Sequence, residues 1–236
     1  MKKIYFLLLA LATLAATSAC RVEKADDGEP PVTRHIEAKD FESIAITFPA
    51  DVTFIPSDTF GVDVKAPASQ MEKVGVKVED GQLQIYKNEK EDGADKHYIV
   101  FNSRGGTQIT VRAPRLISVS LAGSGSFACN DTLRSNHLSL AIAGQGDIKA
   151  KHIEAKEVEI AIAGSGDIKA ALAHVDKTNI NIAGSGDVDV DFKACKSVYA
   201  SILGSGDISL GGEVESLTKD IAGSGDIDTH KLKTRE

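Results

Sequence analysis

The heptad Ile162-Ala163-Gly164-Ser165-Gly166-Asp167-Ile168 recurs down the second half of the chain. Near-copies begin at Leu121, Ile142, Ile182, Ile202 and Ile221. Their first glycines, Gly123, Gly144, Gly164, Gly184, Gly204 and Gly223, are spaced 21, 20, 20, 20 and 19 residues apart. A sustained period of about 20 residues restricts the chain to repeat architectures. A unit that short cannot bury its own apolar face and must stack on its neighbours.

Alignment on the glycines gives the direction of each side chain. Two residues before the first glycine stand Leu121, Ile142, Ile162, Ile182, Ile202 and Ile221. Four before stand Val119, Leu140, Ile160, Ile180, Ala200 and Lys219. Six before stand Ile117, Leu138, Val158, Thr178, Val198 and Leu217. This is period-two alternation, so these columns point together into a core. Ser118, Ser139, Glu159, Asn179 and Tyr199, with Ser120, Asn181 and Ser201, interleave them and face water. Past the glycines, Phe127, Ile148, Ile168, Val188, Ile208 and Ile227 turn inward again, followed two residues on by Cys129, Ala150, Ala170, Val190, Leu210 and Thr229. Two strand segments per 20 residues, joined by a Gly-Ser-Gly corner and a less regular second connection, describe one coil of a β-solenoid. Six coils at about 4.8 Å span roughly 29 Å. Lys219 in an inward column marks the last coil as a degenerate cap over an otherwise open edge.

Residues 34–115 carry shorter alternating segments. Val74 to Glu79, Asp80-Gly81 and Gln82 to Tyr86 read as a hairpin with a tight turn. Pro67 to Lys73 reads as a single helical turn, Asn88 to Lys96 as a charged loop, and His97 to Phe101 and Thr107 to Val111 as further strands. No segment has sustained helical periodicity. Trp is absent and Gly numbers 21 in 236 residues, which suits thin stacked strands and tight turns.

Residues 1–19 read as a secretory signal: Lys2-Lys3, an apolar run from Ile4 to Ala16, then small residues. The run is too short for a membrane-spanning helix. Thr17-Ser18-Ala19-Cys20 resembles a bacterial lipobox, with Thr17 where that pattern usually has Leu. The resemblance implies lipidation of Cys20 and a membrane anchor in the cell envelope, at the outer membrane. Arg21 to Thr33 is polar and Pro-containing, as a tether is. The net charge of −7 becomes two units more negative once Lys2 and Lys3 are removed, which disfavours nucleic acid as a partner. Cys129 and Cys195 fall three coils apart, roughly 14 Å, too far for a disulfide.

The order of blocks along the chain resembles the head GIN domain family, also labelled putative auto-transporter adhesins, a bacterial envelope family usually found as lipoproteins. The resemblance spans about residues 34–228. It rests on Phe41-Glu42-Ser43-Ile44-Ala45-Ile46, Ala50-Asp51-Val52-Thr53-Phe54, Val74 to Ile85, Ile109 to Leu116 and the serial Gly-Ser-Gly-Asp turns. It implies a single-stranded right-handed β-helix whose N-terminal strands form the first coils. No catalytic residue is implied, because the family has no established activity.

The Asp column, Asp147, Asp167, Asp187, Asp207 and Asp226, is the sharpest chemical feature. Stacked carboxylates repel by about 1 kcal/mol per neighbouring pair in water. A calcium ladder is one answer. Local acceptance of backbone N–H groups within each Gly-rich corner is the other, and Ser126 in the first copy shows that the corner forms without a carboxylate. The corner serines are assigned similar local work. The glycine loops lack the helix and lysine that a phosphate site needs. The histidines share no column, and no Gly-x-Ser-x-Gly elbow supplies a nucleophile. The alternative of a polysaccharide lyase or hydrolase rests on fold analogy alone. The expectation is therefore an all-β envelope lipoprotein without catalytic activity or cofactor. Its flat polar face (Ser118, Ser139, Glu159, Asn179, Tyr199) would meet an envelope protein or a glycan. Residues 34–115 would form the first coils, 116–229 the regular coils, and 230–236 a basic tail.

Overall fold

The computed structural model describes residues 29–88 and 106–235. The signal segment, Cys20, most of the tether, the expected loop after Asn88 and the expected strand His97 to Phe101 lie outside the described residues. Fifteen strands and one short helix follow in order: β1 (Pro31–Ile36), β2 (Ser43–Ile46), β3 (Asp51–Pro56), β4 (Gly61–Pro67), α1 (Ala68–Met71), β5 (Val74–Glu79), β6 (Gln82–Lys87), β7 (Gln108–Ala113), β8 (Ser118–Gly123), β9 (Ser126–Gly144), β10 (Asp147–Gly164), β11 (Asp167–Ala173), β12 (Lys177–Gly184), β13 (Val188–Gly204), β14 (Ile208–Gly223) and β15 (Ile227–Thr234).

From β8 onward the chain is a β-solenoid of about 6 turns with about 20 residues per coil. Coils pair in parallel and in the register the sequence period requires: Leu140 opposite Ile160, Ile160 opposite Ile180, Ile180 opposite Ala200. The Ile142, Ile162, Ile182 and Ile202 side chains are at most 2 % exposed. Like stacks on like, so each coil reproduces the packing problem of the last and solves it the same way.

The second connection of each coil is more ordered than the period implies. β9, β10 and β13 run continuously through it, and a further inward set, Leu133, Ile153, Leu172 and Phe192, stands in parallel register and is buried. Coil lengths are absorbed there: register shifts fall after Ala150 and after Phe192, and His174 and Ala194 take positive φ. The sequence hid this set because those shifts break the 20-residue alignment.

The N-terminal strands divide in two. β2 lies parallel between β6 and β8, and β3 parallel between β7 and β9, so the stack is not in chain order. Ile46 pairs with Leu121, Val52 with Phe127 and Asp51 with Ser126. Ile46 to Val52 is therefore a seventh corner, with Pro49-Ala50 where the others have Ser-Gly. β1, β4 and β5 instead pair antiparallel with β4, β7 and β6 and close this end. The β5–β6 turn forms as expected, with φ of 50° at Asp80 and 72° at Gly81. The helical turn also forms, as α1.

Three residues of the inward columns are exposed at the ends of the regular stack. Ile117 is 39 % exposed and Ile221 is 43 % exposed. Ile117 precedes β8, where the chain is still crossing over from β7. Ile221 lies on the last described coil, where β14 pairs with β13 and no further described strand covers it. Lys219, in the same coil, is exposed, and its Nζ donates to the Ile227 carbonyl at 3.4 Å. Residues 230–234 are not a tail: they continue β15 beside β14, and the Arg235 N–H donates to the Val214 carbonyl.

Candidate functional site

Residues before each corner build one wall of the solenoid. Ser118, Ser139, Glu159, Asn179 and Tyr199 stand opposite one another on successive strands, extended by Ser43 and Gln82 on one side and Thr218 on the other. Eight strands spaced by about 4.8 Å make this line roughly 34 Å long. Ser120, Ala141, Ala161, Asn181 and Ser201 form the adjacent line. From β8 to β14 the two lines through Ser118 and Ser120 include just two charges, Glu159 and the terminal-coil Asp220, while the outward line one step earlier carries Glu157 opposite Lys177. Neutral polar side chains desolvate at less cost than charged ones, provided the partner supplies hydrogen bonds, which suits a contact surface.

The remaining walls compensate their own charges from coil to coil. Arg134 meets Glu154 at 3.0 Å, Lys196 meets Asp176 at 2.8 Å and Lys169 meets Asp189 at 3.9 Å. These pairs are solvated; their carboxylates and ammoniums use one another rather than a ligand. The hydrogen bond from Lys196 lowers the Asp176 pKa, and Asp176 in turn raises that of Lys196.

The corner works differently from its sequence expectation. Asp187 N–H donates to Asp167 Oδ1 at 3.2 Å, Asp207 N–H to Asp187 Oδ1 at 3.0 Å, and Asp226 N–H to Asp207 Oδ1 at 2.9 Å. The Asp167, Asp187 and Asp207 carboxylates thus accept from the following coil, not from their own corner. Ser126 Oγ donates to Asp51 Oδ1 at 2.7 Å, which carries the line into the seventh corner. The corner serines contribute backbone instead: the N–H groups of Ser165, Ser185 and Ser205 each donate to the first glycine carbonyl of the coil before, at 2.8 Å. This ladder is structural bracing across coils, and it explains how stacked carboxylates are tolerated. Among the described residues no three His, Cys, Asp or Glu side chains gather into a metal-holding group.

Cys129 and Cys195 are unpaired and buried. Burial pushes the Cys129 thiol up to about 11 and raises Cys195 as well, so neither offers a thiolate at neutral pH. His35 bonds Asp63 at 2.7 Å, and Arg112 holds the other oxygen of that carboxylate. Sequence reading missed Leu203, which is 64 % exposed on the flat wall in a line otherwise made of Ala122, Ala143, Ala163, Ala183 and Ala222. The break in that alanine line was the available signal.

Fold and surface define an open β-solenoid whose distinctive feature is an extended neutral wall. The chain belongs to the family described as "Putative auto-transporter adhesin, head GIN domain", which matches residues 40–190 and again 170–236. Among solved structures, a putative adhesin from Bacteroides fragilis is 20 % identical, with a TM-score of 0.68 over 85 % of this chain and 97 % of the other. A putative lipid binding protein from Parabacteroides distasonis is 24 % identical, with a TM-score of 0.67 over 88 % and 98 %. A putative adhesin from the same species is 18 % identical, with a TM-score of 0.57 over 85 % and 97 %. These likenesses establish the shared fold. No curated protein matches the chain.

Proposed function

We propose that this protein is a non-catalytic cell-envelope lipoprotein, anchored through Cys20 at the outer membrane, that uses its flat neutral wall for adhesion or as a scaffold. The observation that carries this reading is the segregation of charge. Ion pairs occupy the other walls, while the two lines through Ser139 and Ser120 are neutral over six coils apart from Glu159 and Asp220. Solenoids present such surfaces to extended partners. Membership in a family labelled as adhesins supports the same reading.

Cross-linked pull-down of the full-length chain from native membranes tests the contact surface. Ser139→Lys together with Asn179→Lys is expected to abolish capture of a specific partner, whereas Lys169→Ala on a charged wall leaves it intact. Equal capture by both variants refutes the assignment of the wall. Metabolic labelling with an alkyne fatty acid tests the anchor: label is expected on the wild type and lost in Cys20→Ala. Release of unsaturated or reducing sugars from envelope polysaccharide would overturn the non-catalytic reading.

A further inference from the structure

A cleft of about 640 Å³ opens where the N-terminal end of the solenoid meets the β5–β6 turn. Its walls come from three separated segments: residues 40–43, the turn at Asp80-Gly81, and the crossover from Pro114 to Ile117, with Phe60 as a further lining residue. Backbone bonds lock the segments together. The Gly81 carbonyl accepts from Glu42 N–H at 3.0 Å and from Ser43 N–H at 3.4 Å, and Ile117 N–H donates to the Glu42 carbonyl at 2.8 Å. The cleft is therefore a preformed feature of the frame. Its apolar lining includes the Phe41–Phe60 pair, with ring centroids 5.2 Å apart, and the Ile117 side chain left outside the core.

The polar rim is one-sided. Arg115 supplies its one cationic donor, and Glu42 already holds that guanidinium at 2.7 Å. Asp40 and Asp80 remain, exposed and without a side-chain partner among the described residues. Ionised carboxylates accept hydrogen bonds and donate none. Two free carboxylates beside the half-buried Phe60 ring and the exposed Ile117 match a ligand that donates hydrogen bonds, carries positive charge and has an apolar stem. An ammonium group has three donors and no acceptor, and it is attracted to aromatic faces. A phosphate or carboxylate ligand would meet like charge.

We propose that the cleft lined by Asp40, Asp80, Phe60 and Ile117 binds an alkylammonium group. The source is a lysine side chain of a polypeptide or a free organic amine. This site is separate from the flat wall, so failure of either reading leaves the other standing.

Titration of the full-length chain followed by amide chemical shifts provides the test, with n-butylammonium and Nα-acetyl-lysine methylamide as probes. Their neutral counterparts are n-butanol and Nα-acetyl-norleucine methylamide. Saturable shifts at Ser43, Gly81 and Ile117 are expected for both charged probes, with dissociation constants on the order of 1–10 mM for fragments of this size. Tighter binding of the lysine derivative points to a polypeptide side chain; equal or tighter binding of butylammonium points to a free amine. Asp40→Asn and Asp80→Asn are each expected to weaken binding about fivefold, the scale of one exposed charge interaction. Asn tolerates the positive φ at both positions, so these variants keep the backbone. Phe60→Leu tests the ring independently and is expected to weaken binding while the melting temperature reports folding. The proposal is overturned by the absence of saturation at about 50 mM, by equal response to the neutral probes, or by unchanged affinity in the Asp40→Asn, Asp80→Asn double variant.

Discussion

The two ends of this solenoid solve one geometric problem in different ways. In the coils from β8 onward every corner uses two glycines, and neighbouring corners touch through their backbones. A Cβ on Gly186 would lie 2.2 Å from the Gly166 carbonyl oxygen. In the coil formed by β2 and β3 the same position is Ala50, paired in register with the Gly125 corner. Among the described residues no glycine corner stacks on Ala50 from the N-terminal side, where β6 ends at Lys87 and β7 begins at Gln108. The cores differ accordingly. The regular coils stack Ile, Leu, Val and Ala in columns. The N-terminal end is filled by Phe41, Phe48, Phe54 and Phe127, all at most 1 % exposed. The second glycine of each corner is thus required by a neighbouring coil, and the first also by its own positive φ, 113° at Gly123 and 138–145° in the later corners.

Gly186→Ala is the strongest challenge to that distinction. It is expected to destabilise by about 3 kcal/mol or more, since the clash is with backbone that cannot rotate away. Ala50→Gly should cost about 0.5–1 kcal/mol, the entropic cost of glycine alone. Urea-denaturation midpoints compare the two, and similar losses would show that the corners are equivalent after all. Within a single column, Ile180→Ala is expected to cost about 2–5 kcal/mol, because Ile180 is fully buried between coils. Ile221→Ala, on the open terminal coil, should cost under about 1 kcal/mol by the same measurement.

A smaller effect has the opposite sign. Thr178 sits 1 % exposed between Val158 and Val198, and its hydroxyl has no hydrogen-bond partner. Thr178→Val keeps the shape and removes an unsatisfied polar group, so it should stabilise by about 1 kcal/mol; a lower thermal midpoint would contradict this account of the column. The smallest effect is electrostatic. Asp176 has its pKa lowered from 3.8, chiefly by the Lys196 hydrogen bond. Its contribution is present above that value and lost as pH falls through the folded pKa. Lys196 is raised from 10.5, chiefly by Asp176, so its contribution is full below 10.5 and lost as pH rises further. Both groups are fully exposed, so Asp176→Asn should shift the thermal midpoint slightly at pH 7 and not at all at pH 2. An unchanged difference at pH 2 would assign the effect to something other than charge.

Much of the regular half was legible in the residues. Glycine spacing set the coil length, and alternation placed the inward columns and the neutral wall. The seventh corner was not legible, because Phe48-Pro49-Ala50 lacks the glycines, although Ile46, Asp51 and Val52 keep the spacing. The inward set of Leu133, Ile153, Leu172 and Phe192 was lost for a related reason: a one-residue shift inverts the apparent facing of every later side chain in a strand.

The chain by itself determined the repeat, because a 20-residue unit with apolar columns has no stable alternative to stacking on its copies. Tertiary structure alone decided the order of stacking at the N-terminal end, the direction in which each corner carboxylate bonds, and the exposure of Ile117 and Ile221. Those depend on which coil lies next to a residue, and adjacency between coils is a property of the folded chain that local alternation does not encode.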